Sequence, residues 1–308
     1  MIRGLFLPWF VSQVAQPKYL DDFLRFASEA GITDLYIGAG KDSRKVQEFR
    51  RDNIGYDPLK YVCENRDKMN VHAHISTLLL WQQKNYLPDT LPTEWMYFNG
   101  RNCCWELDAL NLEVQAYLVR KCADLVRDYD IQGIYLERLY YHSARAGPKQ
   151  WPLATEEADI LAELEDKRIA LDAVVEGVSR ECRHVKRDIK ITSSTWYLEL
   201  KRGYDWNDKL QNWEKWLDNG WIDYAAPMLF SRDQDVYSRA MNYYQNHRNR
   251  DRILLTMGCF NKPLSDTNYQ KEQVTVMGGV LYFGYHRFSS LPAEKLEDFK
   301  MVISSAVH

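Results

Sequence analysis

The sequence predicts a single (β/α)8 barrel spanning residues 1–308, on three observations. Eight short apolar runs recur along the chain, each followed by an amphipathic stretch. Continuous apolar character marks strands buried on both faces, as in a parallel sheet, and eight β/α units in a chain of this size fit a barrel. A doubly wound sheet is the competing architecture, but the sequence has no Gly-rich phosphate loop and seldom would such a sheet need eight units. Finally, long connections run from Trp81 to Leu110 and from Arg138 to Ala154, after the third and fourth runs. Connections that follow strands lie on the face where a barrel builds its sites.

In order, the predicted strands are Ile2–Leu7, Ile32–Ile37, Val71–Ser76, Ile131–Leu136, Ile189–Ser193, Ile222–Leu229, Ile253–Met257 and Gly279–Phe283. The helical patterns between them are Tyr19–Ala30, Asp57–Met69, Leu112–Tyr129, Glu156–Lys186, Asp208–Asn219, Gln234–Asn246, Asn268–Met277 and Pro292–Ser304. Several boundaries carry their own chemistry. Gly31 ends the first helix where a positive φ is needed. Asn111 precedes Leu112-Glu113-Val114 as an N-cap with an acid in the first turn, and Thr155-Glu156-Glu157 opens the fourth helix in the same way. With no internal repeat, low-complexity tract or linker, one domain is expected.

Composition narrows the function. Forty basic against 43 acidic residues give a net charge of −3, which argues against a nucleic-acid partner. No run approaches 18 apolar residues, so no membrane-spanning helix is expected. The apolar start Gly4–Val11 is short, contains Pro8 and lacks a small-x-small cleavage site, so it reads as the first strand rather than a signal peptide. Six cysteines without zinc-type or disulfide-framework spacing fit a reducing compartment, and a cytoplasmic location is the expectation.

In a barrel the informative residues end the strands or immediately follow them. Here they include Trp9, Gly38-Ala39-Gly40-Lys41, His74, Glu137-Arg138, Ser194-Thr195-Trp196, Met228, Cys259-Phe260 and Tyr285-His286. The ring is mostly aromatic, suited to stacking on the C–H faces of sugars, with a single carboxylate, Glu137. Trp9, Trp81, Tyr140, Trp196 and Tyr285 are the candidate sugar platforms, with His74, Met228 and His286 beside them. Glycoside hydrolysis needs a carboxylic acid and a second carboxylate, and burial among aromatics would raise Glu137 towards the range of a general acid. Arg138 could instead pair with Glu137 and keep it ionised, or bind an anionic group on a substrate. For the second carboxylate, Asp205 in Gly203-Tyr204-Asp205-Trp206 is the first choice over Glu199, Asp233 and Asp235. His72-Ala73-His74 directs two imidazoles to one side of a strand and raises a metal site with Glu137 and His286; satisfied interior histidines are the simpler reading, and no cofactor is expected. Asp188, Asp223 and Asp251 precede strands, on the face associated with stability.

These residues resemble the glycosyl-hydrolase-like family 10 group of bacterial (β/α)8 proteins. The resemblance rests on Arg3-Gly4, Tyr56-Asp57-Pro58-Leu59, His72-Ala73, Leu107-Asp108 through Glu113-Val114, and Tyr129 to Glu137. It continues in Trp213 with Trp216-Leu217, Gly220-Trp221-Ile222-Asp223-Tyr224, Ala226-Pro227-Met228-Leu229 and Gly278 to Phe283. It implies the barrel and a carbohydrate ligand. Where the family usually has two adjacent acids ending the fourth strand, this chain has Glu137 then Arg138, and His74 stands where the family tends to have a tryptophan. The chain therefore reads as a divergent branch. The expected function is hydrolysis of an oligo- or polysaccharide through barrel-mouth carboxylates, against a non-catalytic carbohydrate-binding barrel or a metal-dependent hydrolase or deacetylase using His72, His74 and Glu137.

Overall fold

Each of the eight apolar runs contains a strand of one parallel sheet in the computed structural model. The structure describes residues 1–7, 16–39, 57–81, 91–99, 104–141, 157–196, 210–230, 233–258, 277–283, 285 and 293–304. The chain begins with β1 (Ile2–Leu7), α1 (Pro17–Glu29), β2 (Asp34–Gly38), α2 (Pro58–Asn65) and β3 (Asn70–Ser76). Next come β4 (Leu79–Trp81), β5 (Met96–Asn99), β6 (Cys104–Leu107), α3 (Leu112–Asp128), β7 (Gly133–Glu137) and α4 (Glu157–Val185). The remainder is β8 (Lys190–Thr195), α5 (Trp213–Asp218), β9 (Tyr224–Pro227), α6 (Gln234–Gln245), β10 (Leu254–Gly258), β11 (Gly279–Phe283) and α7 (Ala293–Ser304).

The strand order β10-β11-β1-β2-β3-β7-β8-β9 is a ring cut between its ends, and the parallel bridges Ala225–Ile253 and Met228–Thr256 join those ends. Register then fixes what faces inward, because side chains alternate. Phe6 is level with Tyr36, Tyr36 with His72, His74 with Tyr135 and Tyr135 with Thr192. Phe6, Tyr36, Tyr135, Ala226, Leu254 and Leu281 fill the interior, while the intervening aliphatic residues pack outward against the helices. A (β/α)8 barrel is the result.

The predicted boundary chemistry is present. Asn111 accepts a hydrogen bond from the Glu113 N–H at 2.9 Å, Asp57 caps α2 through the N–H groups of Leu59 and Lys60, and Gly31 has φ 64°. Two helices are shorter than their patterns. Asp67 turns left-handed at φ 52°, ending α2 before β3, and Leu210 at φ 58° delays α5 to Trp213. Residues 155–156 and the pattern at 268–276 lie outside the described residues. The connection after β3, expected as a long loop, instead holds a three-stranded antiparallel sheet, β4-β6-β5. Its segments are only three or four residues long, too short for alternation to reveal.

Asp223 behaves as expected of a residue on the stability face. Its carboxylate accepts from Arg183 and from the Ile191 N–H, both at 2.9 Å, and lies 3.4 Å from the Lys190 ammonium. Arg252 reinforces the same corner by donating to the carbonyls of Asp223 and Leu217 at 2.9 and 2.8 Å. Asp223→Ala strands the Arg183 and Ile191 donors and is expected to cost about 1–3 kcal/mol, read as a lower urea midpoint.

Candidate active site

Glu137 is the inward-facing last residue of β7, at the C-terminal mouth of the barrel. Its backbone carbonyl is held by Thr77, the residue after β3, whose N–H and hydroxyl donate at 2.9 and 2.8 Å. Its Oε2 is hydrogen-bonded to His74 Nε2, and its Oε1 lies 3.5 Å from Arg138 Nε. His74 is buried, and its ring packs edge-on against Phe6 and Tyr135, each with centroids 5.3 Å away. The Glu137 side chain keeps one-fifth of its surface exposed (20%).

Burial by itself would push the Glu137 carboxyl up, but the charge and hydrogen bond of His74, with those of Arg138, outweigh it and hold it at about 2. Of the two alternatives, the raised acid is corrected and the ionised carboxylate paired with Arg138 is the one found, with His74 contributing ahead of Arg138: opposite charge overrides desolvation. Glu137 is thus an anion throughout the ordinary pH range. Because its folded value lies below the ordinary 4.5, its ionised form stabilises the fold above that pH and loses this contribution as pH falls towards 2. Glu137→Gln should therefore flatten the acid limb of a Tm-versus-pH curve between those values. An acid limb identical to that of wild type would contradict the assignment.

The two histidines do not form one ligand set. His72 Nε2 bonds Asp34 Oδ1 at 2.8 Å, below His74 in the interior, and its ring stacks on Tyr36 at 4.6 Å. Burial would raise Asp34, but the bond and charge of His72, with hydrogen bonds from Thr33 and Asn70, bring it down. Each imidazole thus commits its Nε2 to a different carboxylate.

Arg138 follows Glu137 with φ 59°, a left-handed backbone unusual for a non-glycine residue. Its N–H donates to Ser194 Oγ at 3.0 Å. Gln211, buried just before α5, fastens the same corner: Nε2 donates to Leu139 O at 3.1 Å and Ser194 O at 2.9 Å, while Oε1 accepts from the Trp196 N–H at 2.8 Å. Tyr140 and Trp196 meet edge-on at 5.7 Å, Trp196 half-buried and Tyr140 buried. Burial raises the Tyr140 phenol, Arg138 opposes this, and the nearby carboxylates of Glu137 and Glu106 add to it. Glu106, on β6, is itself buried, accepting from Tyr97 at 2.5 Å and Asn99 at 3.1 Å.

The structure therefore brings His74, Glu137 and Arg138 together, with Tyr140 and Trp196 beside them. Met228 is half-buried on the bridge that joins β9 to β10. Tyr285 is a correction to the expected sugar platform. It is buried against Phe23 and Phe26 of α1, with centroids 5.0 Å away, filling the layer between helix and sheet. Trp9, Asp205, His286 and the Trp81 side chain lie outside the described residues. Gln211 and Glu106 were missed. Gln211 lies inside a helical pattern 16 residues past β8, and Glu106 inside an apparent loop, so neither carried a signal.

A (β/α)8 barrel presenting an ionised glutamate at its C-terminal mouth defines the class. Residues 33–272 match the model of the glycosyl hydrolase-like 10 family, and the chain belongs to that family. A curated relative, the glycosyl hydrolase YngK of Bacillus subtilis, is 20% identical over 303 residues, covering 84% of this chain and 59% of YngK. The chain thus spans less than two thirds of that relative. Among solved structures, the PgaB (BpsB) glycoside hydrolase domain of Bordetella bronchiseptica superposes with TM-score 0.67 at 10% identity, over 98% of both chains. The β-amylase catalytic domain of Paenibacillus polymyxa gives 0.66 at 10% identity, over 100% of this chain and 98% of that one. At such identities the likeness concerns the fold.

Proposed function

We propose that this barrel is a glycoside hydrolase acting on an oligo- or polysaccharide, with Glu137 as the anionic member of its carboxyl pair. The observation that carries the reading is an ionised carboxylate, inward-facing at the end of β7 and oriented by His74. A carboxylate held near 2 is poorly suited to protonate a leaving oxygen and well suited to attack an anomeric carbon or to activate water. The proton for the departing oxygen then comes from a second carboxyl group, for which Asp205 is the candidate. Trp196, half-buried and backed by the buried ring of Tyr140, supplies aromatic surface near Glu137, and the reading uses no metal or cofactor.

A hydrolysis screen over aryl glycosides and natural glycans tests this, with wild type and Glu137→Gln, each with and without EDTA. Turnover lost in the variant and indifferent to EDTA supports the reading. Equal turnover in both proteins makes Glu137 structural, and loss on chelation favours a metal-dependent hydrolase. The engagement of both Glu137 oxygens, by His74 and Arg138, favours one alternative, a barrel that binds carbohydrate without cleaving it. Glycan binding without turnover would select it.

A further inference from the structure

A guanidinium has two hydrogen-bonding edges, and among the described residues Arg138 finds a side-chain partner for only one. Its Nε points towards Glu137 at 3.5 Å, while no described residue bonds its Nη groups, and the side chain is 39% exposed at the mouth. The chain holds this arginine in place against a backbone preference. Arg138 is left-handed at φ 59°, and so is Leu210 at φ 58°, next to Gln211; apart from glycines, only Asp67 shares this conformation among the described residues. Gln211 and Ser194 fasten the corner between these two strained positions through Leu139 O, Ser194 O, Trp196 N and Arg138 N. Strain maintained by a buried, fully bonded bridge points to a side chain whose position matters.

From this we propose that Arg138 is an anion subsite: its Nη1–Nη2 edge binds a carboxylate or sulfate on the sugar next to the scissile bond. The proposal rests on the hydrolase reading and names its substrate class. The planar fork matches such an oxyanion with two parallel hydrogen bonds, whereas a lysine would offer a point charge. Because the Nε edge faces Glu137, the guanidinium sits between the two negative groups. Glu137 is therefore shielded from the substrate's charge, and the anion is positioned relative to the carboxylate that acts on the sugar.

The test compares acidic glycans with their neutralised counterparts. Oligouronides and aryl uronides are paired with methyl-esterified and carboxyl-reduced forms, and a sulfated galactan with its desulfated form. Wild type, Glu137→Gln, Arg138→Lys and Arg138→Gly are assayed, the last because glycine accepts the left-handed backbone, so a Tm near wild type is expected of it. Wild-type kcat/KM should favour one acidic form over its neutral partner by about 10–100-fold, the worth of hydrogen bonds to a charged group. Arg138→Gly should erase that ratio and Arg138→Lys should keep part of it; any change in Glu137 itself affects both partners and cancels. The uronate and sulfate pairs tell the two anions apart. Equal turnover of acidic and neutral forms by wild type, a preference for amino sugars, or an unchanged ratio in Arg138→Gly overturns the subsite. Turnover that survives Glu137→Gln overturns the catalytic role of Glu137 and leaves the subsite standing, whereas no turnover of any glycan by wild type overturns the hydrolase reading instead.

Discussion

Glu137→Gln is expected to lower kcat/KM by about 10²–10⁴-fold on whichever glycan the wild type cleaves, the range for losing a positioned proton-transfer group, and by at least as much if Glu137 is the nucleophile. The substitution keeps the shape of the side chain and one acceptor for His74, so the fold should survive it. What it removes is the charge. The variant also separates two uses of the same carboxylate. If Glu137 served only to neutralise His74 and Arg138, turnover would persist while the acid limb of stability changed. If it meets the sugar, turnover falls and the acid limb changes too. For the wild type, a carboxylate held at about 2 places the acid limb of kcat/KM below the usual working range, so the accessible limb belongs to its partner acid. Removing Arg138 takes away one of the two opposing charges, and the acid limb should then move up in pH.

How far these features were legible in the sequence follows from the range of the interactions that form them. The eight strands were readable because burial on both faces leaves a continuous apolar signature, as in Ile131–Leu136 and Ile253–Met257. Asn111 and Gly31 were readable because caps and left-handed turns are decided within a few residues. The position of Glu137 followed from the same local reasoning, since it ends an apolar strand. Its ionisation was legible only as one of two alternatives, through the neighbouring Arg138. Whether a carboxyl is raised by burial or lowered by charge depends on what lies across the sheet, and the deciding partner, His74, is 63 residues away. Gln211 was invisible for the same reason, bonding backbone groups 15, 17 and 72 residues distant. Tyr285 was misjudged because barrel-end aromatics can turn to the mouth or to the helix layer. Phe23 and Phe26 of α1 supply the apolar surface that draws it outward.

Gly133→Ala should be among the most damaging single substitutions in the chain, costing about 3 kcal/mol or more as an overpacked interior. Gly133 faces inward on β7, level with His72 on β3 and Lys190 on β8. A Cβ there would sit 2.1 Å from His72 Nδ1 and 2.8 Å from the backbone carbonyl of Lys190. His72 has little freedom to yield, being bonded to Asp34 and stacked on Tyr36. Gly177→Ala offers the control. Its Cβ would meet Val119 Cγ2 at 2.8 Å, at the end of a side chain between α3 and α4, and the gain in helix propensity offsets the contact. Urea unfolding of both variants should show a large drop in midpoint for the first and little change for the second. A double variant adding His72→Ser removes the ring but leaves the carbonyl. If the ring is the main obstacle, the two substitutions will couple and cost less together than the sum of their separate effects; strict additivity would put the strain at Lys190 O instead. Either way the injury reaches the site, because β7 carries Glu137 and β3 carries His74. Activity in Gly133→Ala should therefore fall even at temperatures where the variant remains folded.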